Sequence, residues 1–262
     1  ASANSEKDSQ FRKIRMLTIG HSFGGLITFE SLSSEFLRVA AILQKSATTG
    51  DYAERVGDLV VIVNPAFEGT RYEPVKVASQ RISTVNENQL PVVIVATSKG
   101  DWATRFTFPL ARHVSTFLEK KSGAERTANV FAVGHNDRYT THKLSKCPDG
   151  DTECLNACET PVAEEKKVNV DVRRNTINKE YKHMARPAKN GFGVREHLCG
   201  QTLLEATQQW QPVANPFWVV ETTAYIIDGH NDILNENFQA FIRQMYLAII
   251  LATDKPAPPM KR

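Results

Sequence analysis

The chain has 262 residues, 41% of them apolar and 23% charged, with a formal net charge of +3. That is enough chain for one sizeable buried core carrying an insertion, and no uninterrupted apolar run reaches the length of a membrane span. The charge is small and the Lys and Arg residues are scattered, without the basic stripe and interleaved aromatics of a nucleic-acid surface, so no nucleic-acid partner is expected.

Ahead of Phe11 the residues Asn4, Ser5, Glu6, Lys7, Asp8 and Ser9 have no apolar periodicity, so neither a strand nor a signal peptide is read there. Ile14, Met16, Leu17 and Ile19 predict a strand over Ile14 to Ile19. Leu26, Phe29, Leu32, Phe36 and Leu37 recur at helical spacing and predict a helix opening at Leu26. Between them stands Gly20-His21-Ser22-Phe23-Gly24, with Gly25 behind it. Strand, sharp turn and helix form the context in which a serine becomes a nucleophile. The flanking glycines are expected to be needed, because such a turn strains the backbone of Ser22 and brings strand and helix too close for side chains. Ser22 Oγ then stands free at the carboxyl end of the strand, and the Phe23 N–H points at an oxyanion forming beside it. No Lys-Ser/Thr pair follows the glycines, so the pattern of a phosphate loop fails.

Further along, Leu59 to Val63, Pro91 to Ala96 and Phe217 to Val220 are short continuous apolar runs, as in parallel strands buried on both faces. Strands separated by helical stretches predict an α/β fold whose ligands bind at the strands' carboxyl ends. Ser22, the Asn64-Pro65 turn, Asp101 and the loop after Val220 all fall at such ends.

A serine hydroxyl is a weak nucleophile at neutral pH and needs a base, which in turn needs a carboxylate to hold its tautomer. Asp101, in Ser98-Lys99-Gly100-Asp101-Trp102-Ala103-Thr104, follows the Pro91 to Ala96 strand and is the candidate acid; capping the next turn is its competing role. Gly-His-Asn-Asp occurs twice, at Gly134 to Asp137 and at Gly229 to Asp232. His135 has the shorter interval from Asp101, with Val130 to Val133 as a strand before it. His230 is succeeded by Phe238, Phe241, Ile242, Met245, Tyr246, Ile249 and Ile250, an amphipathic helix. His230 is the candidate base and His135 the alternative. His113, His142, His183 and His197 read as surface or hydrogen-bonded residues.

Elbow and context together resemble the α/β-hydrolase superfamily of serine hydrolases. The resemblance implies an α/β-hydrolase-like, mostly parallel sheet flanked by helices. It also implies the chain order serine, acid, histidine, a last helix after the catalytic histidine, and His21 as a packing residue beside the nucleophile. In that superfamily several strands and the second oxyanion donor precede the nucleophile, whereas 21 residues precede Ser22 here. The chain therefore resembles the carboxyl-terminal portion of such a protein, incomplete at its N-terminal side. Its nucleophile strand is then expected to have an open edge, and solubility and activity to depend on the missing N-terminal part of its own fold.

The implied organisation is a core over 11–118 and 217–252, a cap or insertion over 119–216 between acid and histidine, and a tail over 253–262. Charged clusters such as Glu164-Glu165-Lys166-Lys167 suit a cap, with Tyr139, Tyr181, Phe192 and Trp210 as candidate wall residues. All four cysteines, Cys147, Cys154, Cys158 and Cys199, lie there. They read as one or two disulfides and hence a periplasmic or secreted location. A zinc site using Cys154, Cys158 and His135 or His142 competes without a CxxC pair, and free buried cysteines are the third reading. The expected function is hydrolysis of a small-molecule or lipid carboxylic ester through an acyl-enzyme on Ser22, with no cofactor and no metal. Thioesterase or peptidase chemistry on the same triad, or a non-catalytic binding or scaffold domain, are the alternatives.

Overall fold

The computed structural model describes residues 15–46, 57–82, 90–107, 131–156, 195–207 and 215–253. In chain order they form β1 (Leu17–His21), α1 (Phe23–Ser46), β2 (Leu59–Val63), α2 (Gly69–Gln80), β3 (Val93–Ser98), β4 (His142–Lys146), β5 (Arg195–Leu198), β6 (Thr202–Ala206), β7 (Phe217–Thr222) and α3 (Glu236–Thr253). A π-helical turn at Ala103–Thr107, a 3-10 turn at Val133–His135 and a helical turn at Thr152–Leu155 lie between them. The strands make one seven-stranded sheet in the order β1-β2-β3-β7-β4-β6-β5. The five strands from β1 to β4 in that order run parallel, and β6 and β5 are antiparallel additions. The fold is α/β with a mostly parallel mixed sheet.

Successive strand residues point to opposite faces, and here both faces are covered. Val60, Ile62, Val93, Val95, Phe217 and Val219 pack with Phe29, Phe36 and Leu43 of α1 and Tyr72 and Val75 of α2. Leu59, Val61, Val63, Ile94, Ala96, Trp218 and Val220 pack with Phe238, Phe241, Met245 and Ile249 of α3. That is why β2, β3 and β7 read as unbroken apolar runs rather than as alternation. Among the described residues β1 pairs on one side only, with β2, and Met16 and Ile19 beside that edge are exposed. No described helix is long and apolar enough to cross a membrane.

Element boundaries differ modestly from expectation. The first strand runs to His21 and the helix starts at Phe23, so the elbow is tighter than a helix from Leu26 requires, and Ile14 lies outside the described residues. The expected strand before His135 is instead a lone bridge between Ala132 and Glu68 followed by the 3-10 turn. Of the expected cap or insertion over 119–216, the described strands β4, β5 and β6 extend the main sheet beyond β7, and 119–130, 157–194 and 208–214 lie outside the described residues. All three are short, and β4 and β5 are polar and partly exposed, as in His142-Lys143-Leu144-Ser145-Lys146, which left only a faint periodicity. Tyr139 is no wall residue. It is buried edge-on to Tyr72, and its hydroxyl donates to Glu73 Oε2 at 2.7 Å. Tyr181, Phe192, Trp210 and the 253–262 tail, apart from helical residue 253, fall outside the described residues.

Cys147 and Cys154 form a disulfide with Cα atoms 5.7 Å apart, packed against Leu203, and Cys199 is also disulfide-bonded. The Cys154 sulfur meets Asp151 and His197, with the three potential ligand atoms within 4.8 Å of one another. A bridged sulfur offers no thiolate to a metal, so the zinc reading loses its central ligand. Asp151 is also engaged, accepting from Cys154 N at 3.0 Å and from Arg195 at 3.1 Å.

His142 shows what burial does to an imidazole. It lies against Trp218, ring centroids 4.3 Å apart, with Nδ1 2.7 Å from Thr141 Oγ1. Desolvation pushes its pKa down to about 3, and that of His135 down to about 4, from 6.5. The unfolded chain takes up protons on these rings near pH 6.5 while the folded chain refuses them, so stability present above pH 6.5 falls as pH drops toward 4. In urea titrations between pH 7 and 4, His142→Phe should flatten the decline by about one proton's worth of slope. An unchanged slope would mean that His142 titrates normally in the folded chain.

Candidate active site

The elbow is built as its residues demand. Ser22 has φ +54°, in the left-handed region, where a non-glycine residue is strained and persists only when its surroundings hold it. Those surroundings are explicit: Ser22 N donates to Val63 O at 3.0 Å, while Ser22 O accepts from Gly25 N at 3.0 Å and Ala66 N at 3.1 Å. Phe23 is the first residue of α1, so its N–H has no acceptor within the helix.

The glycines divide unexpectedly. A Cβ on Gly20 would stand 2.5 Å from Thr28 Oγ1, 2.9 Å from Gly24 O and 3.0 Å from Gly25 Cα, and one on Gly25 would meet Ile62 Cγ2 at 2.9 Å. At Gly24 a Cβ would meet nothing within 4 Å. The steric need assigned to Gly24 therefore belongs to Gly20 and Gly25. Gly20→Ala and Gly25→Ala should each cost roughly 1–3 kcal/mol through overpacking, whereas Gly24→Ala should be neutral or stabilise by up to about 1 kcal/mol. Urea midpoints for the three variants check this, and a Gly24→Ala loss as large as the other two would contradict it.

The structure brings Ser22, His230 and Asp101 together. Ser22 Oγ is 2.9 Å from His230 Nε2, and His230 Nδ1 is 2.9 Å from Asp101 Oδ2. The carboxylate is fully buried, and its Oδ1 accepts the Thr104 N–H at 3.1 Å. One side chain thus both faces His230 and caps the turn at Thr104. His135 is not near Ser22's proton. Its Nε2 lies 2.9 Å from Thr104 Oγ1, which itself bonds Asp101 Oδ2, so the alternative base sits behind the acid.

Sequence reasoning missed the residues that hold the histidine loop. Asn64, buried and at φ +45°, donates through Nδ2 to Gly229 O at 3.0 Å and His230 O at 2.9 Å, and accepts from Ser98 N at 2.9 Å. Ser98 Oγ donates to Ile227 O at 2.6 Å. His21 Nε2 reaches His230 O at 2.8 Å, its ring tilted against that of His230 with centroids 4.9 Å apart. The available signal was an Asn at the end of a buried strand, since Asn is among the few residues that enter the left-handed region readily. No protein-family model matches the chain, and no curated protein and no solved structure matches it either.

Proposed function

We propose that the chain is a serine hydrolase of the α/β-hydrolase type that cleaves a carboxylic ester. One observation carries the reading: a strained, elbow-borne Ser22 whose hydroxyl, a histidine ring and a buried carboxylate are in hydrogen-bonded line at the carboxyl end of a parallel sheet. His230 Nε2 takes the Ser22 proton as Oγ attacks the ester carbonyl, and Asp101 holds Nδ1–H toward itself and stabilises the imidazolium. The oxyanion faces the Phe23 N–H at the positive end of α1. Collapse of the tetrahedral species expels the alcohol, which takes the proton back from His230, and water then releases the acyl group by the same steps.

The surroundings favour an apolar ester. Among the described residues the three most exposed large apolar side chains are Leu234 at 75%, Trp102 at 68% and Phe23 at 64%, and each lies within four positions of a triad member in the chain. Exposed apolar side chains adjacent in sequence to each triad member suit a substrate with an apolar arm. A series of p-nitrophenyl esters of increasing acyl length tests this. Ser22-dependent turnover that rises from acetyl to a medium-chain acyl group is expected, and absence of turnover on every ester would refute it.

A further inference from the structure

The proton inventory around Asp101 leaves one consistent arrangement. An ionised carboxylate only accepts, so the Thr104 hydroxyl spends its single proton on Asp101 Oδ2. Thr104 Oγ1 then has only lone pairs to offer His135 Nε2, 2.9 Å away, so that nitrogen carries a hydrogen. On the other side His230 Nδ1–H donates to the same Oδ2 and Ser22 donates to His230 Nε2. We infer that Thr104 and His135 are positioning residues of the site, an outer donor chain running His135 to Thr104 to Asp101 that sets the orientation and basicity of the carboxylate facing His230.

The physical effect follows from counting donors. Asp101 accepts the Thr104 N–H on Oδ1 and, on Oδ2, both the Thr104 hydroxyl and His230 Nδ1–H. Each donor spreads the carboxylate's charge and lowers its basicity. Without the hydroxyl, Oδ2 concentrates its charge on His230, which makes the imidazolium easier to form and a poorer acid. His135 keeps the threonine rotamer: while Nε2–H occupies the Oγ1 lone pair, the hydroxyl proton is left pointing at Asp101. Burial holds this ring neutral near pH 7, its pKa down at about 4, so its single ring hydrogen is the one on Nε2 that meets Thr104 Oγ1. Charged groups around His135 are Asp101, Arg105 and Glu221, the last paired with Lys99 at 2.9 Å; the His21 ring lies against that of His230, centroids 4.9 Å apart.

This inference rests on the triad reading for its catalytic consequence, but its core is a statement about protonation that needs no turnover. The test is an NMR titration of the His230 imidazole in the full chain, in wild type and in Thr104→Val, Thr104→Ala, Thr104→Ser and His135→Phe. Loss of the hydroxyl in Thr104→Val or Thr104→Ala should raise the His230 pKa by about half a unit to one unit. Thr104→Ser should restore it, and His135→Phe should give a smaller rise in the same direction. The acid limb of kcat/KM against pH should move by the same amount, with kcat falling about tenfold and KM little changed. A His230 pKa unmoved in both Thr104→Val and Thr104→Ala overturns the inference, as does a rise that Thr104→Ser fails to reverse. If the NMR shift appears but hydrolysis does not depend on Ser22, the donor chain stands and the hydrolase reading falls.

Discussion

Replacing Ser22 with alanine is expected to lower kcat for ester hydrolysis roughly 10⁵- to 10⁶-fold, the scale seen when a triad nucleophile is removed. The fold should survive. Oγ contacts His230 Nε2 at 2.9 Å, and the strained backbone at φ +54° is held by main-chain bonds to Val63, Gly25 and Ala66 that alanine keeps. Stability should therefore stay within about 0.5 kcal/mol of wild type. Steady-state kinetics on a p-nitrophenyl ester, paired with a urea melt, separates loss of chemistry from loss of fold. Near wild-type turnover in a folded Ser22→Ala protein would remove Ser22 as the nucleophile.

Replacing His230 with alanine should cost as much as replacing Ser22, and the double variant should be no worse than either single one, because triad members act as a unit. Asp101→Asn should lower kcat by about 10⁴-fold, since the amide donates where the carboxylate accepts and holds the wrong imidazole tautomer. His135→Ala should be far milder, about tenfold at most, because its nitrogen reaches Thr104 and not Ser22. A reversed order of the two histidines, measured as kcat on one substrate, would contradict the geometry at His230.

The parts of this molecule that were legible in the sequence are those where one physical demand dominates. Two-sided burial writes itself as Leu59 to Val63, and β2 occupies those residues. An elbow needs glycine and a helix behind it, so Ser22 stood out, and the helix after His230 chose between two identical tetrapeptides. The outer strands were hidden because they are short, and in β4 and β5 polar, partly exposed residues with weak alternation mimicked an insertion. Gly24 misled because the motif names it while the close contact falls on Gly25. The roles of Asn64 and Thr104 left no periodic trace: Asn64 bonds residues 34 or more positions away, and Thr104, although it bonds Asp101 three residues back, meets His135 from a separate segment.

The most direct measurement is labelling of the purified chain with a fluorophosphonate, followed by intact mass and peptide mapping. Such a reagent phosphonylates, with loss of fluoride, a serine whose hydroxyl is activated by a base and beside which a developing oxyanion is stabilised. One equivalent of label on Ser22, abolished in both Ser22→Ala and His230→Ala, is the expected result. A folded wild-type chain that takes up no label, or carries it on another residue, would contradict a catalytic Ser22 and leave a sheet whose hydrogen-bonded triad does no acyl transfer.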